Sequence, residues 1–249
     1  MNSEARPAAS SSDQATSDQA WAEFWGGTHS IYVNPRHVEV HYTRLARDLT
    51  ALIETRNRPL VLDWGCGDAL SAPAIVGACA ELWLYDAVGP VRLRIAQRFA
   101  GMSGIRVLED AEWQGLAPAS LDMIIVVSVA QYLGQGDLER LLDHFRRVVR
   151  VDGEVIFADI IPPHVSMISD VSSLLGTGWR NGFFLAACAG LARTFFSEYR
   201  RLRATAGFSC YAQAGFEALC VRHGFAVERL ARNVGFNQQR MTFRLRPSG

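Results

Sequence analysis

The sequence predicts an α/β fold: a doubly wound, seven-stranded, mostly parallel sheet with a C-terminal antiparallel hairpin and a helical cap insertion. Three observations predict it. Short apolar runs alternate with segments of helical periodicity, the signature of repeated β–α units joined by right-handed crossovers. The runs are continuous rather than alternating, so both faces of each strand are covered, as in a parallel sheet. The last two runs are joined only by "ARNVGFNQQ", a short polar connection that makes them an antiparallel pair.

The elements follow in order. Residues 1–20, rich in Ser, Ala, Asp and Gln, offer little to bury and read as a disordered tail. Residues 21–249 read as one domain. Asn34-Pro35 supplies an N-cap and a proline at the first helical position, opening a helix to about Thr55 with Val38, Leu45, Leu49 and Leu52 on one face. Leu60 to Asp63 is the first strand and Ala69 to Ala80 its helix. "ELWLYD" ends at Asp86, a helix starts at Pro90, and "IRVLED" is the third strand. "LDMIIVVS" is followed by a helix from Asp137 to Arg150, an Asp152-Gly153 turn and the strand "EVIFADI". The helix Ala212–His223 precedes the strands "FAVERL" and "MTFRLRP". Between these, residues 161–208 break the pattern and read as two cap helices, about 165–175 and 182–203; insertions of this length usually serve as lids or binding elements.

Composition excludes several functions. The 249 residues carry zero formal net charge, against the basic footprint of a general nucleic-acid binder. Every basic side chain other than histidine is arginine, a bias expected of a GC-rich bacterial genome. A chain without lysine can use neither a Schiff-base lysine nor a P-loop lysine. Five cysteines, with no CxxC pair and no signal peptide, point to a reduced, cytoplasmic protein and to no metal site. The longest apolar run, Gly182 to Ala192, is short of the roughly 20 residues that span a bilayer, so no transmembrane segment is expected.

The stretch "VLDWGCGDAL" runs an apolar strand into a glycine-spaced loop, the local form of a nucleotide site. Doubly wound sheets bind ligands at the carboxyl ends of their strands, which brings Asp63, Asp86 and Asp110 into view. Asp86 lies 19 residues beyond Gly67, where an acid can accept both ribose hydroxyls of several cofactors, NAD included. Asp63 and Leu70 discriminate. The dinucleotide fingerprint needs a third glycine where Leu70 stands, and a carboxylate beside the loop repels a pyrophosphate. The same carboxylate attracts a cation, such as the amino group or sulfonium of S-adenosyl-L-methionine.

With these residues the chain resembles a class I S-adenosylmethionine-dependent methyltransferase of the small-molecule type that includes quinone- and sterol-methylating enzymes. "VLDWGCGDA" resembles that family's first motif, with Ala69 where the last glycine is common. "LWLYD", "LEDAEWQGLAPASLDMIIVVSVAQYL", "VVRVDGEVIFADI" and "RHGFAVERL" resemble its later landmarks. The resemblance implies that Asp63 and the Gly65, Cys66 and Gly67 backbone hold the methionine end of the cofactor. It further implies that Asp86 binds the ribose, Ala87 packs on the adenine, Asp110 and Ala111 contact it, and Ser128 sits beside the methionyl moiety. In the family the leading helix closes over the cofactor, which brings Tyr32, Arg36, His41 and Tyr42 towards the cofactor carboxylate or the acceptor; the competing reading has Trp25, Tyr32 and Tyr42 packing that helix on the sheet.

The implied reaction is methyl transfer to a small, apolar or lipid-like acceptor by in-line displacement, for which orientation alone supplies about 7–11 kcal/mol in well-aligned cases. A general base is needed only when the nucleophile arrives protonated. Candidates are Asp159, His164 and Tyr211, with Gln131 and Tyr132 after the fourth strand. The cap sequence "GFFLAACAGLARTFFSEYRRLR" is apolar first and cationic later. It reads either as an apolar pocket or membrane-surface helix, or as a lid packed on the core or on a second subunit of a homodimer; the lid is favoured, because a lid helix must bury an apolar face anyway. The alternatives to the enzyme are a non-catalytic S-adenosylmethionine-binding module and an NAD-dependent oxidoreductase. Methylation of nucleic acid or protein is disfavoured by the neutral charge and by "SVAQYL" where DNA amino-methylating enzymes carry an Asn/Asp-Pro-Pro-aromatic motif.

Overall fold

The computed structural model describes residues 34–163, 167–188 and 209–249. The tail, Tyr32, His164 and the later part of the cap lie outside the described residues. Helix α1 (Pro35–Ile53) starts as expected: Asn34 Oδ1 accepts from the His37 N–H at 2.8 Å and Pro35 occupies the first turn. It is followed by β1 (Leu60–Trp64), α2 (Ala72–Ile75, extended by a 3₁₀ turn to Ala78), β2 (Glu81–Tyr85), α3 (Gly89–Arg98) and β3 (Ile105–Val107). Then come α4 (Asp110–Gln114), β4 (Leu121–Val127), a 3₁₀ turn at Ala130–Tyr132, α5 (Gln135–Val148) and β5 (Val149–Ile160). The cap contributes α6 (Met167–Asn181) and helical residues 184–188, before α7 (Gln213–Arg222), β6 (Phe225–Arg229) and β7 (Met241–Pro247).

The seven strands are ordered β3-β2-β1-β4-β5-β7-β6. All pairs are parallel except those made by β7, which runs antiparallel to both β5 and β6. The order reverses between β1 and β4, so the crevice of the sheet opens there. One face is covered by α1, α2 and α3 through Leu49, Ile53, Ile75 and Ile95. The other is covered by α4, α5 and α7 through Trp113, Leu142, Phe145, Phe216 and Leu219. Both layers exclude water, which is why the strands read as unbroken apolar runs.

Three local expectations change. The helix expected from Ala69 is short, because residues 65–71 are spent on the loop. Gly65, Gly67 and Ala69 all have positive φ (73°, 55° and 47°). Ala69 therefore carries the left-handed backbone that favours glycine, and it does so fully buried. The strand "IRVLED" stops at Val107, because Glu109 and Glu112 form a capping box in which Glu112 Oε2 accepts from the Glu109 N–H at 2.8 Å. Asp110 thus opens a helix. Asp152-Gly153 is not a turn but part of β5, at an irregularity where the register shifts from Leu121↔Val149 to Met123↔Glu154. A Cβ on Gly153 would lie 2.7 Å from Val149 Cγ2 and 2.9 Å from the Asp122 carbonyl, so the crowding selects glycine.

In the cap, Phe183 and Ala187 are buried while Trp179 and Leu185 are exposed. No described helix is long and apolar enough to cross a membrane.

Candidate active site

β1 delivers Asp63 to the switch point, in register with Leu84 of β2 and Ile125 of β4. The period of two puts it on the same face as Val61, beneath α1 and the glycine loop, where it is 7% exposed. Burial, then the nearby Asp86, pushes its carboxyl up to about 7.

The loop above it is folded onto the end of β2. The Gly65 and Cys66 N–H groups donate to the Tyr85 carbonyl at 2.7 and 3.2 Å, and Gly67 N–H donates to Asp86 Oδ2 at 3.0 Å. All three amides are engaged within the fold, so the loop backbone offers a ligand its carbonyls. The atoms on offer are acceptors, carboxylates and carbonyls, which suit a cationic donor. Close approach is demanded at Gly65, where a Cβ would meet Val129 Cγ2 at 2.5 Å; at Gly67 nothing lies within 4 Å. Burial raises the Asp86 carboxyl, while N–H donors from Val88 and Gly67 and the charges of Arg92 and Arg94 oppose it. Arg92 Nη1 donates to the Asp86 carbonyl at 2.7 Å and to that of Ala87 at 3.0 Å, fixing the turn that presents both residues. Asp110 is tied to the same edge, its Oδ1 accepting from the Tyr85 hydroxyl at 2.6 Å, with Ala111 beside it in α4. Burial, most of all, pushes the Cys66 thiol well up, so it stays protonated.

Across the switch point lies a second cluster. Ser128 Oγ donates to Asp159 Oδ2 at 2.6 Å, and Arg240 Nη1 reaches the same oxygen at 2.5 Å. Asn233 Nδ2 donates to Asp159 Oδ1 at 3.2 Å, and the Asp159 N–H donates to Asn233 Oδ1 at 3.1 Å. Thr242 Oγ1 donates to that same Asn233 oxygen at 2.7 Å. Ser128 and Asp159 both adopt positive φ (58° and 66°). Tyr211 packs on Phe216, its oxygen 3.5 Å from the Ala130 carbonyl, and burial pushes its phenol up to about 12. His37 of α1 stacks on Phe183 of the cap.

The structure thus brings Asp63, Gly65, Cys66, Gly67, Asp86 and Ala87 into one edge of the crevice, with Asp110 and Ala111 linked to it through Tyr85. Ser128 joins Asp159 at the other edge. Arg36 is not brought in: it is exposed and pairs with Glu39 at 2.8 Å. A groove of about 660 Å³ runs between α1 and residues 70–74, lined by Val38, Tyr42, Leu70 and Ser71 among others; none of the crevice acids lines it. Sequence reading missed Arg240 and Asn233, whose polar connection looked like an ordinary loop, and Arg92, whose helix looked like an ordinary cover.

A parallel sheet reversing at β1/β4, an acid at the end of each of the first two strands and a terminal antiparallel hairpin define the class I methyltransferase architecture. A family model described as a methyltransferase domain matches residues 62–157, from β1 to β5, so this part of the chain carries a methyltransferase domain. A comparison with curated proteins gives no match. Among solved structures, the N-methyltransferase NodS from Bradyrhizobium japonicum in complex with S-adenosylhomocysteine is similar at TM-score 0.53 and 15% identity, over 87% of this chain and 89% of that one. Human N-acetylserotonin methyltransferase in complex with S-adenosylmethionine is similar at TM-score 0.55 and 14% identity, over 95% of this chain and 56% of that longer one. The YcgJ protein from Bacillus subtilis is similar at 0.51 and 18%, over 74% and 70%. At such identities the likeness is one of fold.

Proposed function

We propose that the chain methylates a small-molecule acceptor bound between the cap and the carboxyl ends of β4 and β5. The carrying observation is the buried Asp63 beside Asp86, two carboxylates sharing a low-dielectric crevice with raised affinity for protons. Such a pair is suited to a cationic adenosyl ligand and hostile to a pyrophosphate. The residues present fit S-adenosylmethionine: Asp63 and the loop carbonyls for the ammonium, Asp86 for the ribose, Ala87, Asp110 and Ala111 for the adenine edge. When bound, that group supplies a methyl on a cationic sulfur.

The cap contributes the apolar Phe183 and Ala187, and the ends of β4 and β5 the polar Ser128 and Asp159. Asp159 is committed to three side chains, so its role is to hold its neighbours. Tyr211 keeps its proton at physiological pH and can donate or orient but not accept as a base. Apolar side chains such as these favour an uncharged acceptor with an apolar body.

Calorimetry tests this reading. S-adenosylhomocysteine is expected to bind the wild-type chain and to bind Asp63→Asn about tenfold to a hundredfold more weakly, the worth of a charge-assisted hydrogen bond. NADH binding without S-adenosylhomocysteine binding would overturn it. A chain that binds the cofactor yet produces no S-adenosylhomocysteine with any acceptor is a binding module instead.

A further inference from the structure

Tyr85 closes β2 one residue before Asp86, and the period of two puts its side chain on the face of Trp64, opposite to Asp63. It is 3% exposed there, with its ring centroid 5.4 Å from that of Trp113 and 6.0 Å from that of Trp64. Its hydroxyl donates to Asp110 Oδ1 at 2.6 Å. Asp110 itself is exposed, and among the described residues no donor reaches its second oxygen, Oδ2.

Two devices fix this carboxylate. The backbone that carries it is set by the Glu109–Glu112 capping box and by the Leu108 N–H, which donates to the Leu84 carbonyl of β2 at 2.9 Å. Tyr85 fixes the side chain. Burial, most of all, and then the bond to Asp110 raise its phenol above the ordinary value, so Tyr85 keeps its proton and remains the donor. A hydroxyl has one proton to give; with that proton on Oδ1, Oδ2 of the carboxylate is left with accepting capacity alone.

The same tyrosine is joined to the turn that carries Asp86 and Ala87. The Arg92 guanidinium lies over its ring, 5.6 Å from the centroid, while Nη1 donates to the Asp86 and Ala87 carbonyls at 2.7 and 3.0 Å. Arg92 Nε stands 3.7 Å from Glu109 Oε2, so the guanidinium bridges the end of β2 to the residue before Asp110. Asp86, Ala87 and Asp110 are thereby held as one edge.

We propose that Tyr85 is a positioning residue that sets nucleobase specificity: it holds Asp110 Oδ2 as a fixed acceptor at the edge of the base, so that the crevice selects a base with an exocyclic amine over one with a carbonyl there. This rests on the reading, made above, that Asp110 contacts the adenine. An amine donates to Oδ2 and forms a charge-assisted hydrogen bond. A carbonyl in its place sets two acceptors against each other and leaves both desolvated and unpaired. Without the tyrosine hydroxyl, Asp110 is a solvated side chain free to turn from the base, and the selectivity falls with it.

The test is calorimetry on the full chain with S-adenosylhomocysteine and with its deaminated analogue S-inosylhomocysteine, which carries a carbonyl in place of the amine. The wild type is expected to prefer the amine ligand by about tenfold to a hundredfold. Tyr85→Phe keeps the ring and its packing on Trp64 and Trp113 and removes the hydroxyl. It is expected to weaken S-adenosylhomocysteine by about tenfold and the analogue by about twofold or less, so that most of the preference is lost. A purely structural role would weaken both ligands alike, and the ratio separates the two. Asp110→Asn, at an exposed position, is expected to abolish the preference, because the amide offers the carbonyl a donor; adding Tyr85→Phe to it is expected to leave the ratio unchanged. A wild-type ratio in Tyr85→Phe, or equal loss of both ligands, overturns the assignment. A wild type without preference, or a preference kept in Asp110→Asn, overturns the reading of Asp110 as the base contact and the assignment with it. Failure of the wild type to bind S-adenosylhomocysteine at all sinks the cofactor reading instead.

Discussion

Replacing Asp63 by Asn isolates the electrostatic cost built into the crevice. The carboxyl has an ordinary value of 3.8 and stands at about 7 in the folded chain, chiefly through burial and then through Asp86. An acid whose folded value is raised binds its proton more tightly folded than unfolded. The folded state is therefore favoured at low pH, and stability falls as pH rises from about 4 to about 7, levelling beyond. Some three pH units at about 1.4 kcal/mol each make the penalty about 4 kcal/mol at pH 8, an order-of-magnitude figure. Asn has the same shape and no charge. Asp63→Asn is expected to match the wild type near pH 4 and to be more stable than it by up to about 4 kcal/mol at pH 8. Urea denaturation of both proteins across that range reads the difference directly. A cationic ligand needs the ionised carboxylate, so wild-type affinity for S-adenosylmethionine is expected to fall about tenfold per pH unit below pH 7. A difference in stability independent of pH, or an Asn variant less stable than the wild type at pH 8, refutes the reasoning.

Three further outcomes follow from the geometry. Arg240→Ala leaves the part-buried Asp159 charge uncompensated and is expected to cost about 3 kcal/mol in urea denaturation, while Arg36→Ala, at an exposed pair, costs about 0.5 kcal/mol or less. Gly65→Ala forces a Cβ to within 2.5 Å of Val129 and is expected to cost more than 2 kcal/mol with loss of cofactor binding; Gly67→Ala meets open space and costs about 1 kcal/mol from its backbone alone. Phe183→Ala removes the ring that stacks on His37, and the cap is expected to be cleaved several-fold faster in limited proteolysis while the urea midpoint of the sheet domain shifts little.

Much of the fold was legible because its determinants are local. Asn34-Pro35 caps α1 within a single turn, and the continuous apolar runs of β1, β2, β4 and β5 require only that both faces be covered. The misreadings were competitions between local signals: the Glu109–Glu112 capping box overrode the strand pattern of "IRVLED", and an Asp-Gly pair served a sheet irregularity instead of a turn. Within the candidate site, Asp63 and Asp86 were visible because an acid closing an apolar strand is rare and costly. Their mutual influence was not visible, since it depends on the parallel pairing of β1 with β2.

The sequence by itself determined the order of strands and helices, the reversal implied by the terminal hairpin, and a glycine-spaced loop between two acid-ended strands. These follow from side-chain period and from the charge of single residues. Tertiary structure decided the cluster at the end of β5. Asp159 meets Asn233 and Arg240 from 74 and 81 residues away. Contacts of that separation leave no periodic trace in the chain, because what fixes them is the burial of charge in a shared low-dielectric crevice, a property no segment has alone.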